Sequence, residues 1–254
     1  MASIGRRALD GPHDPVQQCD ATHARGPEQG LHGDWAVPLT QFIDLYCERM
    51  GRGLWGEPAN ALTNLAYFAG AWAARRQIRS SPAPLPVSVR MLPLSIVLVG
   101  MFSLVFHTLA TLWAAVADQL FILLFGCLFL YAFLRHAATV PAAPALLAAV
   151  AFGVASYFTP GVLPPGWLNR SGAYAPYLIG LIAMAGWLAA RGRMAAKGFA
   201  VAIGLFCVAL VLRTGDQAWC GRFPIGTHFL WHVLTGAVLS LLSIALLRDV
   251  LRPR

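Results

Sequence analysis

The residues with the clearest chemical potential in this chain are three histidines, an aspartate and a serine. His228 and His232 lie four apart, a spacing that puts two imidazoles on one helical face and lets both reach a single metal ion. Ser103 and His107 repeat that spacing, and Asp118 follows in the next apolar stretch. Three histidines on zinc leave its fourth position open, the mark of a catalytic rather than a structural site. Asp118 could then accept a proton from bound water or orient a histidine. Ser103 could donate a hydrogen bond to a developing oxyanion. A lone histidine in an apolar segment is usually a packed, hydrogen-bonded group, so the case for zinc rests on the set. His13, His23 and His32 fall in the polar N-terminal region and His136 at the end of an apolar block, and none of them joins it.

A second polar group precedes and opens the first apolar block: Asp44, Glu48 and Glu57, then Asn60, Thr63 and Asn64. Glu57, Asn60 and Asn64 share a helical face, with Tyr67 one turn on. Three carboxylates this close repel one another unless neutralised, and a calcium ion with oxygen ligands would do so. They are equally well read as solvated loop acids, with the asparagines bonding neighbouring helices. Spacing leaves both readings open.

The elements that must position these groups are membrane helices. The chain is 57% apolar and only 12% charged, about half the charged share of an ordinary soluble domain, and its mean hydropathy is +0.61. Seven apolar blocks run over Pro58–Ala74, Met91–Thr111, Ala114–Leu134, Ala142–Phe158, Tyr174–Ala190, Ala196–Leu212 and Thr227–Leu247. Each is long enough to cross a hydrocarbon core of ~30 Å. Between the second and third only Leu112 and Trp113 intervene. The expected architecture is an all-α, polytopic bundle of seven transmembrane helices over residues 41–254, after a mobile polar tail over residues 1–40. Net charge is +8, but the basic residues sit in short loops. One set of loops and the C-terminal tail hold eleven Lys and Arg; the alternate loops hold Arg170, Arg213 and Arg222. That asymmetry reports orientation, not nucleic-acid binding, and puts the N-terminus outside and the C-terminus in the cytoplasm.

With this topology Ser103, His107, Asp118, His228 and His232 are all expected one or two turns below the outer surface. Cys127 and Cys207 read as inert core thiols, and Cys19 falls in the tail. Cys47 and Cys220 both face the outer side, where an oxidising compartment permits a disulfide; two unrelated thiols fit the topology as well. Gly180, Ala183, Gly186 and Gly204 could leave room for a lipid chain or serve close helix packing.

The segments Cys47-Glu48, Glu57-Pro58-Ala59-Asn60-Ala61-Leu62-Thr63-Asn64-Leu65, Ser103-x3-His107-x10-Asp118, Asp216-x3-Cys220 and His228-Phe229-Leu230-Trp231-His232 resemble the alkaline ceramidases, in that family's order. The serine, aspartate and three histidines are shared with a wider superfamily that includes the progestin and adipoQ receptors. The acidic segment before the first block is more particular to the ceramidases. The resemblance implies zinc on His107, His228 and His232, and hydrolysis of the amide of ceramide or a related N-acyl lipid to sphingoid base and fatty acid. It places Asp118 beside the zinc water and Ser103 beside the substrate oxygen. It also implies calcium at Asp44, Glu48 and Glu57 and a Cys47–Cys220 disulfide. Three departures touch the calcium segment: Glu48 to Glu57 is short, Asp44 stands one residue farther from Cys47, and Met50 falls where the family has an asparagine. The rivals are a lipid-sensing receptor without turnover and a remodelling factor for lipid-anchored proteins. The very short loops suggest a bacterial inner membrane, with the active site toward the periplasm.

Overall fold

The computed structural model of the protein describes residues 38–164 and 166–252; His13, Cys19, His23 and His32 of the expected tail lie outside them. The described chain is helical: α1 (Pro58–Thr63), α2 (Leu65–Arg79), α3 (Val87–Arg90), α4 (Leu92–Leu109), α5 (Leu112–Ala132), α6 (Ala142–Val162), α7 (Ala175–Ala190), α8 (Ala195–Gly215) and α9 (His228–Val250). A π-helical turn, Phe133–Ala137, prolongs α5, and a 3-10 stretch, Trp167–Tyr174, leads into α7.

Six helices are long and apolar enough to cross a membrane: α3 with α4, α5, α6, α7 with its 3-10 lead, α8 and α9. The expected seventh, over Pro58–Ala74, is helical but divided at Asn64 and more polar. Asn64 turns its side-chain amide back onto the Asn60 carbonyl at 2.8 Å, a local bond that competes with the helical ladder. Arg76 and Arg79 close α2, where cations favour the negative end of the helix dipole.

α9 is the axis of the bundle. It packs on α8, α2, α1 and α4, while α6 is peripheral and turns Leu147, Val150 and Val154 outward, as a lipid-facing helix would. α2 and α9 meet backbone to backbone: a Cβ on Gly70 would stand 2.8 Å from the Gly236 carbonyl oxygen, and one on Gly236 would stand 2.9 Å from the Ala66 carbonyl carbon. Small residues permit this approach, and it carries Thr63 against His232.

The α4–α5 connection is as short as the sequence suggested, two residues, but lies two positions earlier, at Ala110 and Thr111. The break falls at Ala110, which is left-handed (φ 53°) and fully buried. Its cost is offset by the incoming chain, which lies across the turn: Ile43 N–H donates to the Ala110 carbonyl (2.8 Å), and Leu112 and Trp113 N–H donate to the Gln41 and Leu39 carbonyls (2.9 and 3.0 Å). Residues 38–57 thus cap this end of the bundle.

Candidate metal centre and active site

The start of α9 is held from outside the helix. Asp216, just past α8 and fully buried, accepts from Thr227 N–H (2.6 Å) and His228 N–H (2.9 Å) through Oδ1, and from Cys47 N–H (2.9 Å) through Oδ2. The first amides of a helix lack intrahelical partners, and a carboxylate there also meets the positive end of the dipole. Gly226 must be glycine: its φ is +63°, and a Cβ would collide with Asp216 Oδ1 and with Cys47 Cβ. The Cys47–Cys220 disulfide, Cα atoms 5.5 Å apart, joins the same two segments. The N-terminal cap is therefore fastened to the loop that launches His228.

His107, His228 and His232 converge. They are 1–2% exposed, their ring centroids are 4.6–5.3 Å apart, and one ligand atom from each lies within 4.8 Å of the others. Among the described residues this is the only group of three or more His, Cys, Asp or Glu arranged to hold a metal ion.

The neighbours set the tautomers. Glu57 binds His107 Nδ1, and a carboxylate accepts, so the Nδ1 proton points to Glu57 and Nε2 keeps its lone pair. The Thr63 hydroxyl donates to the Ala59 carbonyl at 2.7 Å; it therefore accepts from His232 Nδ1 at 3.1 Å, again freeing Nε2. His228 stacks on Tyr46 at 3.6 Å between centroids, and its Nδ1 is buried without a hydrogen-bond partner. Orphaned and lone-pair nitrogens in one dry place fit a metal ion well.

Ser103 lies one turn before His107 on α4 and Asp118 lies on α5; both are buried. The serine hydroxyl faces the carboxyl. Asp118 Oδ2 accepts from Gln119 Nε2 at 3.3 Å, while Oδ1 has no partner. Asp118 lines a chamber of about 430 Å³ with Tyr46, Phe106, Gln119, Tyr174 and Arg213. Tyr174 also lines a second, apolar cavity, with Phe125, Phe129, Gly180, Trp231 and Leu242.

Asp44, Glu48 and Glu57 are not gathered into a comparable group. Glu48 caps α1, accepting from Ala59 and Asn60 N–H at 2.6 and 2.8 Å; burial pushes its carboxyl up, against the pull of those two amides. Glu57 is fully buried between His107 and Arg49, whose Nε stands 2.9 Å away. Burial pushes the Glu57 carboxyl up, while the Arg49 guanidinium beside it favours the ionised form. Asp44 is exposed. Of the small residues expected to make room for a chain, Gly180 lines the apolar cavity, whereas Ala183, Gly186 and Gly204 are exposed on the outside of the bundle.

The sequence did not single out Tyr46, Arg49 or Arg213, and noticed Asp216 only as part of a motif. Arg49 adjoins Glu48 in the sequence, which reads as a surface pair, and Arg213 counts as a loop charge.

A family model described as ceramidase matches residues 46–251. No curated protein matches the chain. The matched stretch begins at the tyrosine stacked on His228 and runs through the end of α9, so it takes in the histidines, Asp118, Ser103 and the disulfide. By that match, the chain belongs to the ceramidase family.

Proposed function

We propose that the chain is a zinc-dependent hydrolase of the membrane that cleaves the amide of ceramide or a related N-acyl lipid, releasing an amine and a fatty acid. The carrying observation is the set of three buried imidazoles, two with their Nε2 lone pairs freed by Glu57 and Thr63; on the adjoining helix α5, Asp118 offers a buried carboxylate oxygen without a hydrogen-bond partner. His107, His228 and His232 would hold the ion. When bound, zinc supplies a Lewis acid and lowers the pKa of a water toward ~7.

The chain's own groups supply the rest. Asp118 Oδ1 takes the proton released as water adds to the amide carbonyl, and passes it to the departing nitrogen as the C–N bond breaks. The Ser103 hydroxyl donates to the carbonyl oxygen as charge gathers there. Tyr46 and Phe106 cover the site and exclude bulk water. The apolar cavity beyond Tyr174 takes alkyl chain, which explains why such a site would lie among membrane helices. In this reading Glu57 orients His107 and Glu48 caps α1.

The exposed apolar helices suit a multi-pass protein. The loop charges favour an outside N-terminus and a cytoplasmic C-terminus, with the site under the outer face of an inner membrane.

The test is incubation of purified protein with N-acyl sphingoid and N-acyl amino lipids, with and without chelator. Chelator-sensitive fatty-acid release from one class is expected. Lipid binding without any release supports a receptor instead.

A further inference from the structure

Arg213 is a buried cation that makes no salt bridge among the described residues; the Asp118 carboxyl acts on it only from a distance. It lies in the last turn of α8 and is 6% exposed. Its Nη1 donates to the Asn169 carbonyl (2.9 Å) and the Ser171 hydroxyl (3.0 Å). Its guanidinium sits over Tyr174 and Trp231, 5.2 and 5.7 Å from their centroids, and its Nε has no partner. Dipoles, ring faces, the Tyr46 hydroxyl and the more distant Asp118 carboxyl share the charge, an expensive arrangement for a buried cation without a direct ion pair.

The surroundings suggest what completes it. Arg213 and Arg170 line the same chamber as Asp118, the one acid in its wall. Leu168, Asn169 and Arg170 have φ of 49°, 47° and 63°, a left-handed run that non-glycine residues avoid. Arg213 holds that run in place through Asn169, which returns a bond from Nδ2 to the Arg213 carbonyl at 3.3 Å. Strain of this kind persists where the surroundings enforce it, and it clusters at ligand sites. Tyr174 is a wall of both the chamber and the apolar cavity, so a lipid with its chain in the cavity would turn its polar end toward Arg213.

We propose that the chamber receives an anionic head group: the substrate is an N-acyl lipid carrying a carboxylate on the amine side of its amide, and Arg213 pairs with that carboxylate. One buried guanidinium on the chamber wall matches one negative charge and can donate charge-assisted hydrogen bonds to it. A dianionic phosphate would bring a second charge toward Asp118. This rests on the amide-hydrolase reading above and specifies its substrate.

The experiment compares an N-acylglycine, an N-acylethanolamine of equal chain length and a ceramide, by equilibrium binding and by kcat/KM, in the wild-type protein, Arg213→Gln and Arg213→Lys. The wild type should prefer the N-acylglycine. Arg213→Gln should lower that preference roughly 10- to 100-fold, the worth of one hydrogen bond to a charged group, and Arg213→Lys should retain part of it. Because the readout is a ratio between lipids, a general loss from loosening the 168–170 loop cancels. An equal loss on all three lipids, or a wild-type preference for the neutral ones, overturns the proposal. Preferential binding without turnover upholds the anion site and removes the hydrolase reading; turnover without preference does the reverse.

Discussion

Replacing Glu57 by glutamine perturbs the metal centre through a residue that would not touch the metal. Glu57 is fully buried and serves two partners, His107 Nδ1 and Arg49 Nε. Glutamine keeps the volume and one acceptor but loses the charge. Arg49, its side chain 1% exposed, pairs with no other carboxylate among the described residues. Removing one partner from a buried ion pair costs about 3–5 kcal/mol. For a chain of this size 1 kcal/mol moves the unfolding midpoint by about 2–4 °C, so Glu57→Gln should melt roughly 10 °C lower in detergent. His107 would also lose the carboxylate that fixes its tautomer, which typically lowers metal affinity about 10- to 100-fold. The assay is thermal unfolding beside a zinc titration against a competing chelator. The double variant Arg49→Met, Glu57→Gln removes both charges and should regain much of the midpoint while keeping the affinity loss. A Glu57→Gln protein with unchanged midpoint and unchanged zinc affinity refutes the reasoning.

Three further outcomes are expected. Asp216→Ala strips Thr227, His228 and Cys47 of their shared acceptor; at about 1.5–3 kcal/mol per bond to a charged group, it should lower stability by at least about 3 kcal/mol in thermal unfolding and abolish turnover by freeing His228. Cys220→Ser opens the link to Cys47 and should cost about 2–5 kcal/mol, with weakened zinc retention on dialysis. Ser103→Ala should leave zinc content unchanged and reduce kcat about 100- to 1,000-fold, as loss of one oxyanion donor does.

How far the site could be read in advance depended on whether a residue's partner lay in its own helix or across the bundle. His228 and His232 announce themselves, because an i, i+4 pair shares a face whatever the helix packs on. Adding His107 and Asp118 needed only the depth argument from loop charge, and the structure brings the three imidazoles together. Glu57 was harder. Its repulsion from Glu48 and Asp44 suggested a cation, and the cation beside it is Arg49, a contact made by folding the cap onto α1 and α4. Arg213 was counted as an outer-loop charge because the sequence places it at a helix end; only the 3-10 stretch folding over it makes it interior. Asp216 has no helical face to read, since its three partners come from two distant segments. The first apolar block shows the converse: Asn60, Thr63 and Asn64 fall inside the expected span, yet the helix is divided at Asn64 and Thr63 meets His232.

The most direct measurement is zinc content and fatty-acid release from an N-acyl lipid, for the wild-type protein and for His232→Ala purified in the same detergent. The account predicts about one zinc per wild-type chain, release that chelator stops and added zinc restores, and neither zinc nor release from His232→Ala. Full hydrolysis by His232→Ala, or by metal-free wild-type protein, would contradict it.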